Sequence, residues 1–201
     1  MVVTETVVID AEDTDVVALS AKVAHEIEGN LAIRRKKEVF DCKTLCDERL
    51  ATVIVQLHAH TGGDFTSGFY GHGKKTILKQ LEKSQDAMSL LADVGKQLPI
   101  TTEVSSNLDK FTVQVVYNDQ HSKNLAQCRA NKWKQLKKKA TQRLPPHGDT
   151  HDHHCERVNY ISYIHSHYKR KEAPPSPHDH GWMLEQGKKL LSPLTELPIT
   201  S

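Results

Sequence analysis

Apolar positions in this chain fall into short blocks whose periods change from one block to the next. Val7, Val8 and Ile9 are contiguous, which predicts a strand buried on both faces. After "EDTD", the apolar residues Val16, Val17, Leu19, Ala21, Val23 and Ala24 return with helical spacing. A strand, a loop and a helix in that order are the common unit of an α/β fold. "LAIRRKKEVFD" predicts a strand pair with a charged middle. "CKTLCDERLATVIVQLHAH" predicts one helix or two, with Leu50, Val53, Ile54 and Leu57 as the apolar stripe. "KKTILKQLEKSQDAMSLLADVGKQL" is helical again, broken at Gly95 and stopped by Pro99. In "NLDKFTVQVVYND" the alternation of Phe111, Val113 and Val115 favours a strand, with a helix as the alternative.

The composition then shifts. Residues 122–143, "SKNLAQCRANKWKQLKKKATQR", carry eight Lys or Arg and no acid. They predict a basic helix. "LPP" follows, then the His-rich "HGDTHDHHCERVNYISYIHSHYKR" and a proline-punctuated end that predicts irregular structure. No internal repeat is present. The expected organisation is a core over 1–100, a helical basic extension over 101–146 and a His-rich tail over 147–201. At 201 residues the chain has room for one ordinary domain with extensions, or two small ones. An apolar content of 37% and a mean hydropathy of -0.55 are low, so part of the chain is expected to pack poorly. The net charge of +2 names no partner.

The opening "MVVTETVVID" lacks the basic region of a signal peptide, and no apolar stretch is long enough for a membrane span. Cys42, Cys46, Cys128 and Cys155 form no Cys-x-x-Cys pair. They read as reduced, structural thiols of a nuclear or cytoplasmic protein, not a secreted one.

Candidate chemistry begins with Asp13 and Asp15, which follow the first strand, where α/β folds gather functional residues. Cations of the magnesium type take hard oxygen ligands, and paired metals can stabilise both oxygens in phosphodiester hydrolysis. The alternative is a solvated loop that caps the next helix. Asp64 lies in a glycine turn, "HTGGDF", that would present its carboxylate at a loop tip. Just downstream, "GFYGHGKKTILKQL" has the form of a hairpin between helices. Gly71 and Gly73 would permit positive φ and close backbone approach, and Lys74 and Lys75 would add charge at a helix start. Such a turn can hold a phosphate without reading bases. A plain connection with solvated lysines is the alternative.

"EDTDVVAL", followed by "LHAHTGGDFTSGFYGHGKKTILKQL", resembles the core of PIN-like, flap-endonuclease-type nucleases, and more closely a group of transposon-associated or domesticated animal proteins. "FTVQVVY", "RLPPH", "HCERVNY" and "HDHGW" follow in the order that group shows. The resemblance implies a partial PIN-like α/β core with a helix–two-turn–helix. It implies Asp13, Asp15 and Asp64 as metal and catalytic ligands for Mg (or Mn). It also implies Gly71, Gly73, Lys74 and Lys75 as DNA-backbone contacts. Such nucleases carry further strands and acids ahead of the Asp-x-Asp, and these have no counterpart before Asp13. The expectation is therefore a nuclease-derived protein with an incomplete site that binds a metal weakly. His60 and Gly63 stand where the resembled motif has an apolar residue and a Cys, and they suggest loosened packing.

Two further features compete for a role. His147, His151, His153, His154 and Cys155, with His165, His167, His178 and His180, suggest zinc, but the spacing fits no standard pattern. In the resembled group only His154, with Arg157, Asn159 and Tyr160, has a counterpart; the other histidines are expected to be solvated or structural. The basic helix could track phosphates with Trp133 stacking on a base, or it could be a solvated face with Trp133 and Leu136 packed inward. "KRKE" and "KKK" could act in nuclear import. Beside the nuclease reading stand a non-catalytic nucleic-acid-binding remnant and a His-rich metal-binding protein.

Overall fold

The computed structural model describes residues 5–136, 141–185 and 189–191. The chain opens with strand β1 (Thr6–Asp10), helix α1 (Thr14–Glu26) and strand β2 (Asn30–Arg35), which pairs parallel to β1. A turn through Lys36, at positive φ, leads into strand β3 (Glu38–Asp41), antiparallel to β2. This is the predicted strand–loop–helix unit with its strand pair, in a sheet of order β1-β2-β3. Burial departs from expectation. A contiguous apolar run predicts two covered faces, yet Val7 is 59% and Val8 44% exposed. α1 covers one face only, where Ile9, Leu31, Ile33, Ala24 and Cys42 form a small core. Among the described residues no strand lies on the outer edge of β1.

The rest is helical. α2 (Glu48–Ala51) and α3 (Ile54–His60) put Leu50, Val53 and Leu57 into a second, larger core, as the stripe predicts. α4 (Lys74–Leu81) and α5 (Gln85–Ser89) follow. The break between them comes at Ser84, whose hydroxyl caps α5, well before Gly95. The segment favoured as a strand is a helix: α6 (Thr102–Phe111) continues into a π-helical turn over Thr112–Val116. The Thr101 side chain caps α6 at the amide of Val104. Thr112 and Val113 are buried together, as are Val115, Val116 and Tyr117, so the alternation of Phe111, Val113 and Val115 marks no single face. Helix α7 (Leu125–Gln135) is the predicted basic helix, and its Lys137–Lys139 run lies outside the described residues.

The largest correction falls on the tail. Where irregular structure was expected, helix α8 (Gly148–Ser166) is the longest helix among the described residues and packs against α3 and α6. Its Cys155 and Val158 belong to the same core as Leu57 and Phe111. Acids on its outer face and the buried His151 and His154 dilute the apolar signal, so the sequence pattern hides a buried inner face. After α8, Arg157 donates to the carbonyl of Gly181 at 2.8 Å, and Tyr160 stacks on His180. The "HCERVNY" and "HDHGW" blocks therefore meet in space. Strands β4 (Met183–Glu185) and β5 (Lys189–Leu191) form an antiparallel pair, and residues 192–201 lie outside the described residues. No described helix is long and apolar enough to cross a membrane. All four cysteines are free, and Cys42, Cys128 and Cys155 are buried.

Candidate metal and nucleic-acid site

Asp13 ends the loop after β1 and caps α1, its Oδ1 accepting from the amide of Asp15 at 2.9 Å. Asp15 occupies the first turn of that helix, where the helix dipole favours a carboxylate. The capping role and the ligand role fall on one residue and do not exclude each other.

Asp64 arrives from a separate part of the chain. After α3, Gly63 and Thr66 close a tight turn: the Gly63 amide donates to the Thr66 carbonyl at 3.1 Å, and the Thr66 hydroxyl donates to Ala59 O at 2.6 Å. The turn leaves Asp64 exposed at its tip. Gly62 makes the turn possible. Its φ is +108°, and a Cβ there would come within 2.8 Å of the Gly68 amide nitrogen. Gly63 has a different purpose. A Cβ on it would stand 3.2 Å from Asp15 Oδ1, so the missing side chain lets the Asp15 carboxylate lie against the loop. This is close approach rather than the loosened packing expected from the motif.

The result is a convergence of the three predicted acids. Ligand oxygens of Asp13, Asp15 and Asp64 lie within 4.8 Å of one another. The oxygen-only donor set fits a hard divalent cation. Part of it is already engaged, by the α1 amide at Asp13 and by His58 Nε2 at Asp15 Oδ1.

His58 is the residue that sequence reasoning missed. It lies on α3 beside the apolar stripe and bridges the acids to the second turn. Lys74 Nζ donates to His58 Nδ1 at 3.0 Å, and His58 Nε2 hydrogen-bonds Asp15. An ammonium can only donate, so Nδ1 accepts and the proton is on Nε2, facing the carboxylate. Desolvation holds the Lys74 pKa below the ordinary lysine value, although Asp15 and Asp64 pull it up and the residue as a whole is exposed. His165 on α8 also faces this cluster. Burial lowers its pKa, with Asp15 acting against that and His58 with it.

The second predicted turn behaves differently at its two glycines. Gly71 has φ +80°, as anticipated. Gly73 has φ -74°, so the positive φ expected there is absent, and a Cβ on it would meet nothing within 4 Å. Gly73 caps α4 without a side-chain hydrogen bond, which leaves an open helix start at Lys74 and Lys75. Lys75 is exposed. Lys74, expected on a phosphate, donates its ammonium to His58 beside Asp15.

The histidines range from exposed to fully buried. His147 and His178 are exposed, whereas His60, His151 and His154 are buried in the large core with Phe69 and Phe111. His60 is fully buried and held by the Thr112 hydroxyl at 2.9 Å, so it too is packed rather than loose. Burial drives the His60 pKa well below its usual value and that of His154 down to about 3, so both imidazoles are neutral. His154 Nε2 donates to the carbonyl of His60 at 3.1 Å.

These features define a class: an α/β scaffold with a helical body that gathers three carboxylates, a histidine–lysine relay and an open helix start at one place. Compared with protein-family models, curated proteins and solved structures, the chain matches none of them.

Proposed function

We propose that the protein is nuclease-derived and binds nucleic acid with the help of one divalent cation, Mg or Mn, at Asp13, Asp15 and Asp64. The observation that carries this reading is the meeting of three carboxylates from two distant loops within 4.8 Å. A solvated acidic face gives no reason for Gly63 to yield space to Asp15, or for Lys74 to reach the histidine that holds Asp15. When bound, the cation would neutralise the acids and attract a phosphate. The chain's own groups do the rest. His58 holds Asp15 in place, and Lys74 adds positive charge beside the acids. The helix start at Gly73 with Lys75 offers amides and charge to the next phosphate, and Gly71 shapes the turn ahead of it. Three acids with two oxygens already in use support one cation, not the pair that full hydrolysis employs, so binding is the main activity and cleavage is weak or absent.

The test follows labelled single-stranded and flap DNA, scoring retention and cleavage with Mg2+ or Mn2+, wild type beside Asp64→Ala. Metal-dependent retention that the variant loses supports the reading, and cleavage lost in parallel extends it to catalysis. Retention that ignores both metal and variant overturns it in favour of a purely basic surface.

A further inference from the structure

We infer that Asp109, His151 and Cys155 form a transition-metal site, of the Zn2+ or Co2+ class, separate from the acid cluster. Oδ1 of Asp109, Nε2 of His151 and Sγ of Cys155 lie within 4.8 Å of one another. His151 Nε2 is 3.1 Å from Asp109 Oδ1 and 3.5 Å from Cys155 Sγ. His151 and Cys155 are one helical turn apart on α8, and Asp109 comes from α6, so two packed helices fix the three donors. Tetrahedral zinc with ligand bonds of about 2.0–2.3 Å places neighbouring donors roughly this far apart. Thiolate, imidazole and carboxylate together suit Zn2+ or Co2+, and exclude Mg2+ as the preferred ion.

The polar atoms of the cluster crowd around one ring nitrogen. Nε2 of His151 faces Asp109 Oδ1, Cys155 Sγ and, at 3.3 Å, Thr112 Oγ1. The Thr112 hydroxyl proton goes to Leu108 O at 2.9 Å. The ring proton of His151 and the Cys155 thiol proton are the two left to share among these atoms. Oδ1 of Asp109 is buried and has no hydrogen bond of good geometry. An unpaired buried acceptor is costly, and a cation at this point would engage Oδ1. His151 is fully buried, and its Nδ1 has no hydrogen-bond partner, so the tautomer is set by whatever Nε2 binds. On binding, the Cys155 thiol gives its proton to solvent and a metal–sulfur bond forms. His151 carries its proton on Nδ1, and its Nε2 lone pair goes to the metal.

The cluster lies nearest the surface on its Asp109 side. The Asp109 side chain is 39% exposed while the other two ligands are buried. Asp152 and Glu156 flank the opening with further negative charge, close enough that Asp109 and Glu156 help raise the Asp152 pKa, after desolvation. The exposed histidines offer imidazole without a thiol, so sulfur ligation separates this site from adventitious binding.

The experiment is a Co2+ titration of the full chain carrying Asp64→Ala, which removes the acid cluster from the readout. One equivalent should bind with a thiolate-to-cobalt charge-transfer band, displaced by Zn2+. Cys155→Ala should abolish the band, and Asp109→Asn should weaken binding at least tenfold, about 1.4 kcal/mol. Metal-free near-ultraviolet dichroism checks that each variant is folded. Should Cys155→Ala unfold, Asp109→Asn tests the same site from its solvent side. Cobalt bound without the band, a band that survives Cys155→Ala, or affinity unchanged in Asp109→Asn overturns the site. None of these outcomes bears on Asp13, Asp15 and Asp64, so the two proposals fail separately.

Discussion

The acid cluster and the histidine cluster hold polar groups in opposite ways. Asp13, Asp15 and Asp64 come from loop ends and a first helical turn, and two of the three are exposed. Water offsets most of their desolvation. His60, His151 and His154 are buried within a core that also contains Phe111; Thr112 holds the first, a backbone carbonyl the last, and His151 lies 3.1 Å from Asp109. The first cluster is held by turn chemistry and can lose a side chain without losing the fold. The second is part of the fold, and its protonation state is tied to stability.

Acid should expose that difference most strongly. His154 is neutral when folded, with its pKa lowered to about 3, and ionises near 6.5 when unfolded. Stability is complete above the unfolded value and falls as the pH drops from there toward the folded one. The loss is about 1.4 kcal/mol per pH unit for each imidazole kept neutral. His60 adds to it in the same direction. Urea unfolding across that range measures the slope, and His154→Gln should flatten it. An unchanged slope would mean that the imidazole is solvated.

The next contrast is between adjacent glycines. Gly62→Ala meets backbone at 2.8 Å with a positive φ and should cost on the order of 2 kcal/mol, read by thermal or urea unfolding. Gly63→Ala meets only the end of the Asp15 side chain at 3.2 Å, so its stability should stay within about 1 kcal/mol. Its Mn2+ affinity should nevertheless fall about tenfold, read by calorimetry. Equal effects on stability would erase the distinction between a turn glycine and a site glycine. The smallest effect belongs to Lys75→Ala. Stability should move by less than about 0.5 kcal/mol, while the slope of log affinity against log salt for single-stranded DNA drops by about 1. An unaltered slope would remove Lys75 from the interface.

The same contrast explains what the sequence reveals. Turn residues act locally, so "HTGGDF" and "EDTD" place their acids at loop ends before any tertiary contact is known, and the three acids do meet. The sheet is legible for the same reason. What stays hidden is set by packing. Nothing in the spacing of His58 marks it as the bridge between Asp15 and Lys74, because that bridge joins residues 43 and 16 positions away. Nor does the His-rich composition of 148–166 announce a buried helix, because the residues that make it look polar are the ones paired inside. Phe111, Val113 and Val115 mimic strand periodicity within a helix wrapped on several sides.

Helix α8 also sets a timetable for synthesis. All three acids, and His58 with them, are synthesised before any residue of α8. α3, which carries His58 and leads into the Asp64 turn, packs on α1 and on α8, and α8 ends only at Ser166. A growing chain thus carries the ligands long before it carries the helix that seats α3. Until then Leu57 and His60 lack Cys155, Val158 and His154 as neighbours, and the nascent chain displays an apolar helix face. A transcript or protease product that stops short of α8 would keep every acid and still leave α3 without the helix that seats it.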